Sequence, residues 1–266
     1  MQNLHTHTKY VDGSLSAEEM ITAALEKGCG SLGFSEHAYI PFDAQYSMTP
    51  EATYDYVKEI NALKDKYSDR IEIFLGLERD FFSPIETDIK YDYIIGSVHY
   101  SNPSACVDNG AEKVKQTAER CYNGDFYAFA EDYFAAVSDI PGKTGADIIG
   151  HFDLLTKYNF DSDMFDETHP RYVAAALDAM EKIQKSCNLF EVNTGAMYRL
   201  GKREPYPSVF LLKELQKRGG EVIISSDSHD GESICYRYNE MRELLTSCGF
   251  KYMKVLTKNG FADVRI

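Results

Sequence analysis

Leu4-His5-Thr6-His7 sets two imidazoles two residues apart near the first residue of the chain. On an extended strand alternate side chains share a face, so His5 and His7 point the same way, about 7 Å apart along the strand. Neutral imidazole nitrogen binds zinc and iron, so such a pair can share one divalent ion. His-x-His is a weak signal by itself. It gains weight because His37, His99, His151 and His229 each stand near the C-terminal end of a short apolar run, and Glu78 and Asp227 stand at such ends too. His169 differs: it lies in a Thr-His-Pro helix start and reads as a surface residue.

These groups need elements to position them, and the chain alternates strand and helix. Ser16-Ala-Glu-Glu19 has the form of a capping box, followed by Ala17, Met20, Ile21, Ala24 and Leu25 at helical spacing and a stop at Gly28. Residues 31–37 read as the second strand. A helix opens at Thr49-Pro50 and carries Tyr56, Ile60, Leu63 and Tyr67 on one face. Strands follow at 71–78, 91–99, 147–151, 189–193 and 221–227. The 102–145 stretch is harder: 111–138 reads as two helical pieces broken near Gly124, Pro141-Gly142 as a turn, and a lid over the site stays open. Helices are expected from about 173 to 183, around 208–218 and over 232–247, with a short tail strand at 252–256.

Seven short strands alternating with helices predict a parallel sheet buried on both faces, and one domain spanning 1–266. In a closed barrel the active site lies at the C-terminal ends of the strands. By that rule the scattered histidines and carboxylates converge on one rim.

Composition narrows the function. The 266 residues are 44% hydrophobic and 26% charged, and no apolar run approaches the roughly 18 residues a membrane span requires. Lys plus Arg number 28 against 42 Asp plus Glu, a formal charge of −14 without a basic run, which disfavours nucleic acid as a partner. Cys29, Cys106, Cys121, Cys187, Cys235 and Cys248 form no Cys-x-x-Cys and fit free thiols in a reducing cytoplasm. No secretory leader is expected at the N-terminus. Oligomeric state stays open.

The chain resembles the PHP family (polymerase and histidinol phosphatase). The matching segments are His5-Thr-His7 with Asp12, Ser35-Glu-His37, Gly76-Leu-Glu78, Gly96-Ser-Val-His99, Gly150-His151-Phe-Asp and Ser226-Asp227-Ser-His229. The resemblance implies a distorted TIM-like (β/α)7 barrel and two or three divalent metals, zinc, iron or manganese. Its length and its opening segment resemble the stand-alone histidinol-phosphate phosphatases of that family. The resemblance implies one metal held by His5, His7, Glu78 and Asp227, with Glu78 bridging to a second held by His99 and His151. A third would take Asp12, His37 and His229. Many relatives place a histidine where Asp12 stands here, and aspartate gives that site a harder oxygen ligand.

The chemistry so implied is phosphomonoester hydrolysis, with L-histidinol phosphate as the expected substrate. Two metals about 3.5–4 Å apart can neutralise phosphoryl oxygens and hold a bridging hydroxide for in-line attack without a phosphoenzyme. Asp227 or His229 could relay a proton to the leaving oxygen. Arg199 is the first choice for a phosphate-binding cation, followed by Lys157, with Lys202 and Arg203 in the same loop as Arg199. Phe42, Tyr158 and Tyr198 could form an aromatic wall. Other readings stay open: a family phosphoesterase acting on another small phosphate or nucleotide, a metal-dependent amidohydrolase, or a binding module.

Overall fold

The computed structural model describes residues 1–160 and 163–266. The first half runs β1 (Gln2–Asn3), α1 (Ala17–Glu26), β2 (Ser31–Phe34), α2 (Pro50–Lys66), β3 (Glu72–Asp80) and β4 (Tyr93–Ser97). A side branch follows: β5 (Tyr100–Asn102), β6 (Ala105–Cys106), α3 (Ala111–Tyr122), α4 (Phe126–Ser138) and α5 (Ile140–Thr144). Next come β7 (Ile148–Ile149), α6 (Pro170–Ile183), β8 (Leu189–Asn193), α7 (Gly195–Arg199), α8 (Val209–Lys217) and β9 (Glu221–Ser225). The chain ends with α9 (Tyr238–Cys248), β10 (Tyr252–Thr257) and β11 (Gly260–Arg265).

Seven parallel strands form one sheet in the order β1-β2-β3-β4-β7-β8-β9. Its edges meet just past the strand ends, where Thr6 pairs in parallel with Ser228 and His7 N donates to Ser228 O at 2.8 Å. This is a nearly closed seven-stranded α/β barrel: the strand–helix rhythm predicts its parallel sheet, and the family resemblance its closure.

Alternation along each strand sorts the side chains. Ile73, Leu75 and Leu77 of β3, with Phe190 and Val192 of β8 and Val222 and Ile224 of β9, face outward under the helices. Leu4, Phe74, Tyr93, Ile95, Ile148, Leu189 and Ile223 fill the interior, joined by Leu256 and Phe261 from the C-terminal hairpin. Gln2 pins that hairpin: its Nε2 donates to Leu256 O and its Oε1 accepts from Leu256 N, both at 2.8 Å. The helices bury the stripes their spacing foretells, Ala17, Met20, Ile21 and Ala24 in α1 and Tyr56, Ile60 and Leu63 in α2. Each large apolar side chain so buried contributes about 1.5–3 kcal/mol. Both arms of the Ser16–Glu19 capping box are made, Glu19 N to Ser16 Oγ at 3.3 Å and Ser16 N to Glu19 Oε2 at 2.8 Å.

Two local expectations are corrected, and two are filled in. Pro141-Gly142 lies inside α5, because proline is tolerated in a helix's first turn, and the stop comes at Gly145 with φ 66°. The last helix starts at Tyr238 rather than 232: Asp230 Oδ1 captures Ser233 N, and Cys235 and Arg237 take positive φ. The tail strand is one arm of the β10–β11 hairpin. The 102–145 segment contributes to the core. Val114, Ala118, Phe129, Tyr133, Phe134, Val137 and Ile140 are core residues, so its helices are part of the packed body.

Tyr93 crosses the barrel interior in the space left by two glycines. Its hydroxyl donates to Leu4 O and, at 3.1 Å, to Phe34 O. A Cβ at Gly76 would lie 2.2–2.6 Å from its ring carbons, and one at Gly33 would lie 2.3 Å from its hydroxyl oxygen. Gly33→Ala and Gly76→Ala should therefore each cost about 1–3 kcal/mol in urea unfolding. In a Tyr93→Phe background the Gly33→Ala cost should shrink while the Gly76→Ala cost persists, a coupling read from a double-mutant cycle. Equal Gly33→Ala costs in both backgrounds would refute this packing account.

Candidate metal centre

The inward phase that carries Tyr93 and Leu189 low in the barrel carries polar groups near the C-terminal rim: Glu78 and Asp80 on β3, Ser97 on β4, Glu191 and Asn193 on β8, Ser225 on β9. Strand-end segments add the rest. His5 and His7 follow β1, His37 follows β2, His99 follows β4, His151 follows β7, and Asp227 and His229 follow β9. Asp227 adopts φ 48°, a left-handed conformation that aspartate tolerates better than most residues.

Glu78 sits at the centre. Its Oε2 lies 2.7 Å from His37 Nδ1, 3.4 Å from His5 Nε2 and 3.6 Å from His7 Nε2. Its Oε1 lies 2.9 Å from His151 Nε2 and 3.7 Å from His99 Nε2, and accepts from Ser97 Oγ at 2.7 Å. Asp227 Oδ1 lies 3.3 Å from His7 Nε2 and 3.6 Å from both His5 Nε2 and His229 Nδ1. Asp12 Oδ2 is 3.1 Å from His229 Nε2, and Oδ1 is 3.8 Å from His37 Nε2. All nine residues singled out from the sequence as metal ligands thus meet at one rim.

Among the described residues three groups offer ligand atoms within 4.8 Å of one another: His5, His7 and Asp227; His37, Glu78 and His99; and His7, Asp12, His37 and His229. This partition differs from the sequence grouping. His37 also turns toward Glu78, His7 reaches the outer group, and His151 approaches Glu78 alone. Strand order separates these residues, whereas the rim is narrow enough for rings from non-adjacent strands to meet, as His37 after β2 and His99 after β4 do edge-on at 5.3 Å.

The donor set fits divalent cations. His5 Nε2, both ring nitrogens of His7, His151 Nδ1 and Glu78 Oε2 are buried without a hydrogen-bond partner. Such atoms carry a desolvation cost that a coordinated cation removes. Burial, with His37 and His229 nearby, lowers the His7 pKa to about 3, so its ring is neutral and its lone pair free. Burial works against ionisation of Glu78, yet His5, His37 and His99 outweigh it and hold its carboxyl well below the usual range. At Asp227 burial is likewise overcome, chiefly by Arg199 and His5. His37 is pushed the other way, to about 10, because Glu78 and Asp12 outweigh its burial.

Two carboxylates that sequence reasoning passed over, Asp80 and Glu191, support these rings, and Glu36 lies beside them. Asp80 Oδ2 accepts from His99 N at 2.9 Å and lies 3.2 Å from His99 Nδ1. Glu36 Oε1 accepts from Thr8 N at 2.6 Å, and burial raises its pKa to about 8. Glu191 lies 2.6 Å from His5 Nδ1. Period-two alternation could have found Asp80 and Glu191, which share the inward phase of Glu78 and Asn193.

The rim opens into a cavity of about 400 Å³. Arg199, Lys157, Asp43, Tyr100, Asp108 and Tyr158 line it along with the cluster. Arg199 Nη2 donates to Asp227 Oδ2 at 2.8 Å and Nη1 to His229 Nδ1 at 2.9 Å, while Lys157 pairs with Asp108. Lys202 is not among the lining residues; its Nζ donates to Thr156 O at 3.3 Å. Of the three aromatic candidates, Tyr158 lines the cavity, Phe42 packs edge-on against Tyr100 and Tyr198 against Tyr236. His169 caps α6, accepting from Arg171 N at 3.2 Å, away from the cluster.

Residues 3–195 match the model of the PHP domain. A Deinococcus radiodurans protein is 30% identical over 88% of each chain, and a Schizosaccharomyces pombe protein 28% identical over 91% of this chain and 84% of its own. Both carry the name "Probable histidinol-phosphatase". The crystal structure of a Lactococcus lactis histidinol phosphate phosphatase, complexed with zinc, L-histidinol and phosphate, shares the fold with a TM-score of 0.75 at 19% identity, covering 98% of each chain.

Asp153, two residues past His151, is fully buried; Oδ2 accepts from Ser208 N at 3.0 Å and Oδ1 has no partner. Burial raises its pKa to about 7, only partly offset by Lys202. A carboxyl whose folded pKa is raised binds more protons folded than unfolded, so stability falls as pH climbs from about 4 to 7. Asp153→Asn removes that dependence. Relative to the variant, wild type should lose at most about 4 kcal/mol across the window, measured by urea unfolding at a series of pH values. Parallel curves for the two proteins would contradict the assignment.

Proposed function

The chain belongs to the PHP domain family, and from that premise we propose that it is a metal-dependent phosphomonoester hydrolase acting on L-histidinol phosphate. The observation that carries this reading is the convergence of six imidazoles and three carboxylates on one rim, four of those imidazoles and all three carboxylates lining a 400 Å³ cavity whose wall also holds Arg199 and Lys157. That volume suits a small ester rather than a polymer. The names of the relatives supply the choice of substrate.

His5, His7 and Asp227 would hold one ion, Glu78 with His99 and His151 a second, and Asp12, His37 and His229 a third, each zinc, iron or manganese. Such ions supply the positive charge that a phosphate ester's oxygens need before a nucleophile can approach, and they make water acidic enough to attack at neutral pH. The chain's own groups do the remainder. Arg199 braces Asp227 and His229 and presents its guanidinium to the phosphoryl oxygens, a geometry lysine cannot copy. Lys157, balanced by Asp108, adds a second cation beside the same oxygens. Asp227, held by Arg199, steadies the ring of His229, which is about one-fifth exposed to the cavity, and solvent there supplies the proton that the leaving alkoxide takes up. Asp43 and Asp108 offer carboxylates to the ammonium of an amino alcohol. A cytoplasmic setting suits the six free cysteines.

Metal analysis and a panel of phosphomonoesters and diesters test the reading. L-histidinol phosphate should be turned over well above the other esters. Asp227→Ala and His99→Ala should abolish turnover with the far-UV spectrum unchanged. Arg199→Ala should cost about 100- to 1,000-fold in kcat/KM, with Arg199→Lys recovering only part. Comparable rates on unrelated esters would remove the substrate and keep the phosphatase; a protein that takes up no metal would remove both.

A further inference from the structure

Glu191 is a fully buried carboxylate with no part in the chemistry above. It projects inward from β8, and every neighbour it contacts is a donor. Oε1 lies 2.6 Å from His5 Nδ1 and accepts from Ser225 Oγ. Oε2 accepts from His151 N and from Asn193 Nδ2, each at 2.9 Å. Burying a carboxylate costs several kcal/mol unless its oxygens are met in this way. A leucine or glutamine would fill the same space at lower cost if packing were the only demand.

The contact with His5 has a chemical consequence. A ring that donates from Nδ1 presents its lone pair at Nε2. His5 Nε2 is buried without a hydrogen-bond partner, 3.4 Å from Glu78 Oε2 and 3.6 Å from Asp227 Oδ1. Asn193 Nδ2, besides serving Glu191, lies 3.4 Å from Asp227 Oδ2. One carboxylate therefore touches His5 directly, the backbone of His151 directly, and Asp227 through one amide. Asp80 stands in the same relation to His99 Nδ1 on β3.

We propose that Glu191 is a positioning residue for a bound divalent cation, fixing the His5 tautomer and ring plane so that Nε2 is a bare ligand, and tying His151 and Asp227 into the same frame. Outer carboxylates of this kind typically change metal affinity by 10- to 100-fold when removed. The inference rests on reading the rim as a metal centre, and the test keeps the two apart.

Zinc is the probe. Chelator competition gives the zinc affinity of wild type, Glu191→Ala and Glu191→Gln, and thermal melts of the metal-stripped and zinc-loaded forms give the rise in Tm on loading. Asp147→Asn serves as the structural control, since its carboxylate accepts from Ile94 N at 2.9 Å, remote from the cluster. Glu191→Ala should bind zinc at least tenfold more weakly and show a smaller rise in Tm. Glu191→Gln keeps an acceptor for Nδ1–H but turns its NH2 toward other donors, so it should fall between; being isosteric, it carries the test if the alanine variant does not fold. Asp147→Asn should lower both melts together and leave the rise unchanged. Zinc affinity within twofold of wild type in the Glu191 variants, with equal losses of Tm in both forms, would make Glu191 a purely structural residue and overturn the proposal. Failure of wild type to bind zinc would instead overturn the metal reading beneath it.

Discussion

Charge balance at one end of the barrel is the constraint on which the rest depends. Glu78 and Asp227 lie buried among imidazoles, where an isolated anion would be costly and an isolated bare nitrogen nearly as awkward. The surroundings meet this from both sides. Carboxylates raise His5, His37 and His99, while burial, with His37 and His229 nearby, lowers His7. Buried carboxylates and imidazoles aimed at shared space call for positive charge between them, which protons on some rings or a bound divalent cation can supply.

That arrangement needs a floor that does not move. The barrel provides one by layering. Phe74, Ile148, Leu189 and Ile223 fill the interior toward the hairpin plug, and Tyr93 spans the space that Gly33 and Gly76 leave open. One inward step further along β3 stands Glu78, and one step beyond Leu189 stands Glu191. Stability and chemistry thus occupy successive layers of the same strands, divided by the two-residue repeat. The tyrosine hydroxyl, bonded to Leu4 O and Phe34 O, ties that floor to the strands leading to His5 and His37.

The 100–145 branch plays a different part. Its helices pack into the body through Phe129, Tyr133 and Phe134, while its first turns present Tyr100, Cys106 and Asp108 to the cavity. Asp108 faces Lys157 across that wall. The branch forms one side of the cavity and lines it with polar groups.

The sequence alone determined the strand–helix rhythm, the parallel sheet and eight of the nine rim residues, because period-two alternation and strand-end position are local properties of the chain; Asp12 and the closure of the barrel came from the family resemblance. The sequence also determined the negative charge and the helix starts at Ser16 and Thr49, whose signals lie within four residues. Only the tertiary structure decided how the rim residues group, that His37 shares Glu78, that Lys202 stands off the cavity, and that Asp80 and Glu191 back His99 and His5. Those facts depend on distances between strands far apart in the chain, set by barrel closure at Thr6 and Ser228 and by the bulk of Tyr93. No local pattern encodes such distances. They follow once every inward side chain has found room, and packing of the whole interior is what settles that.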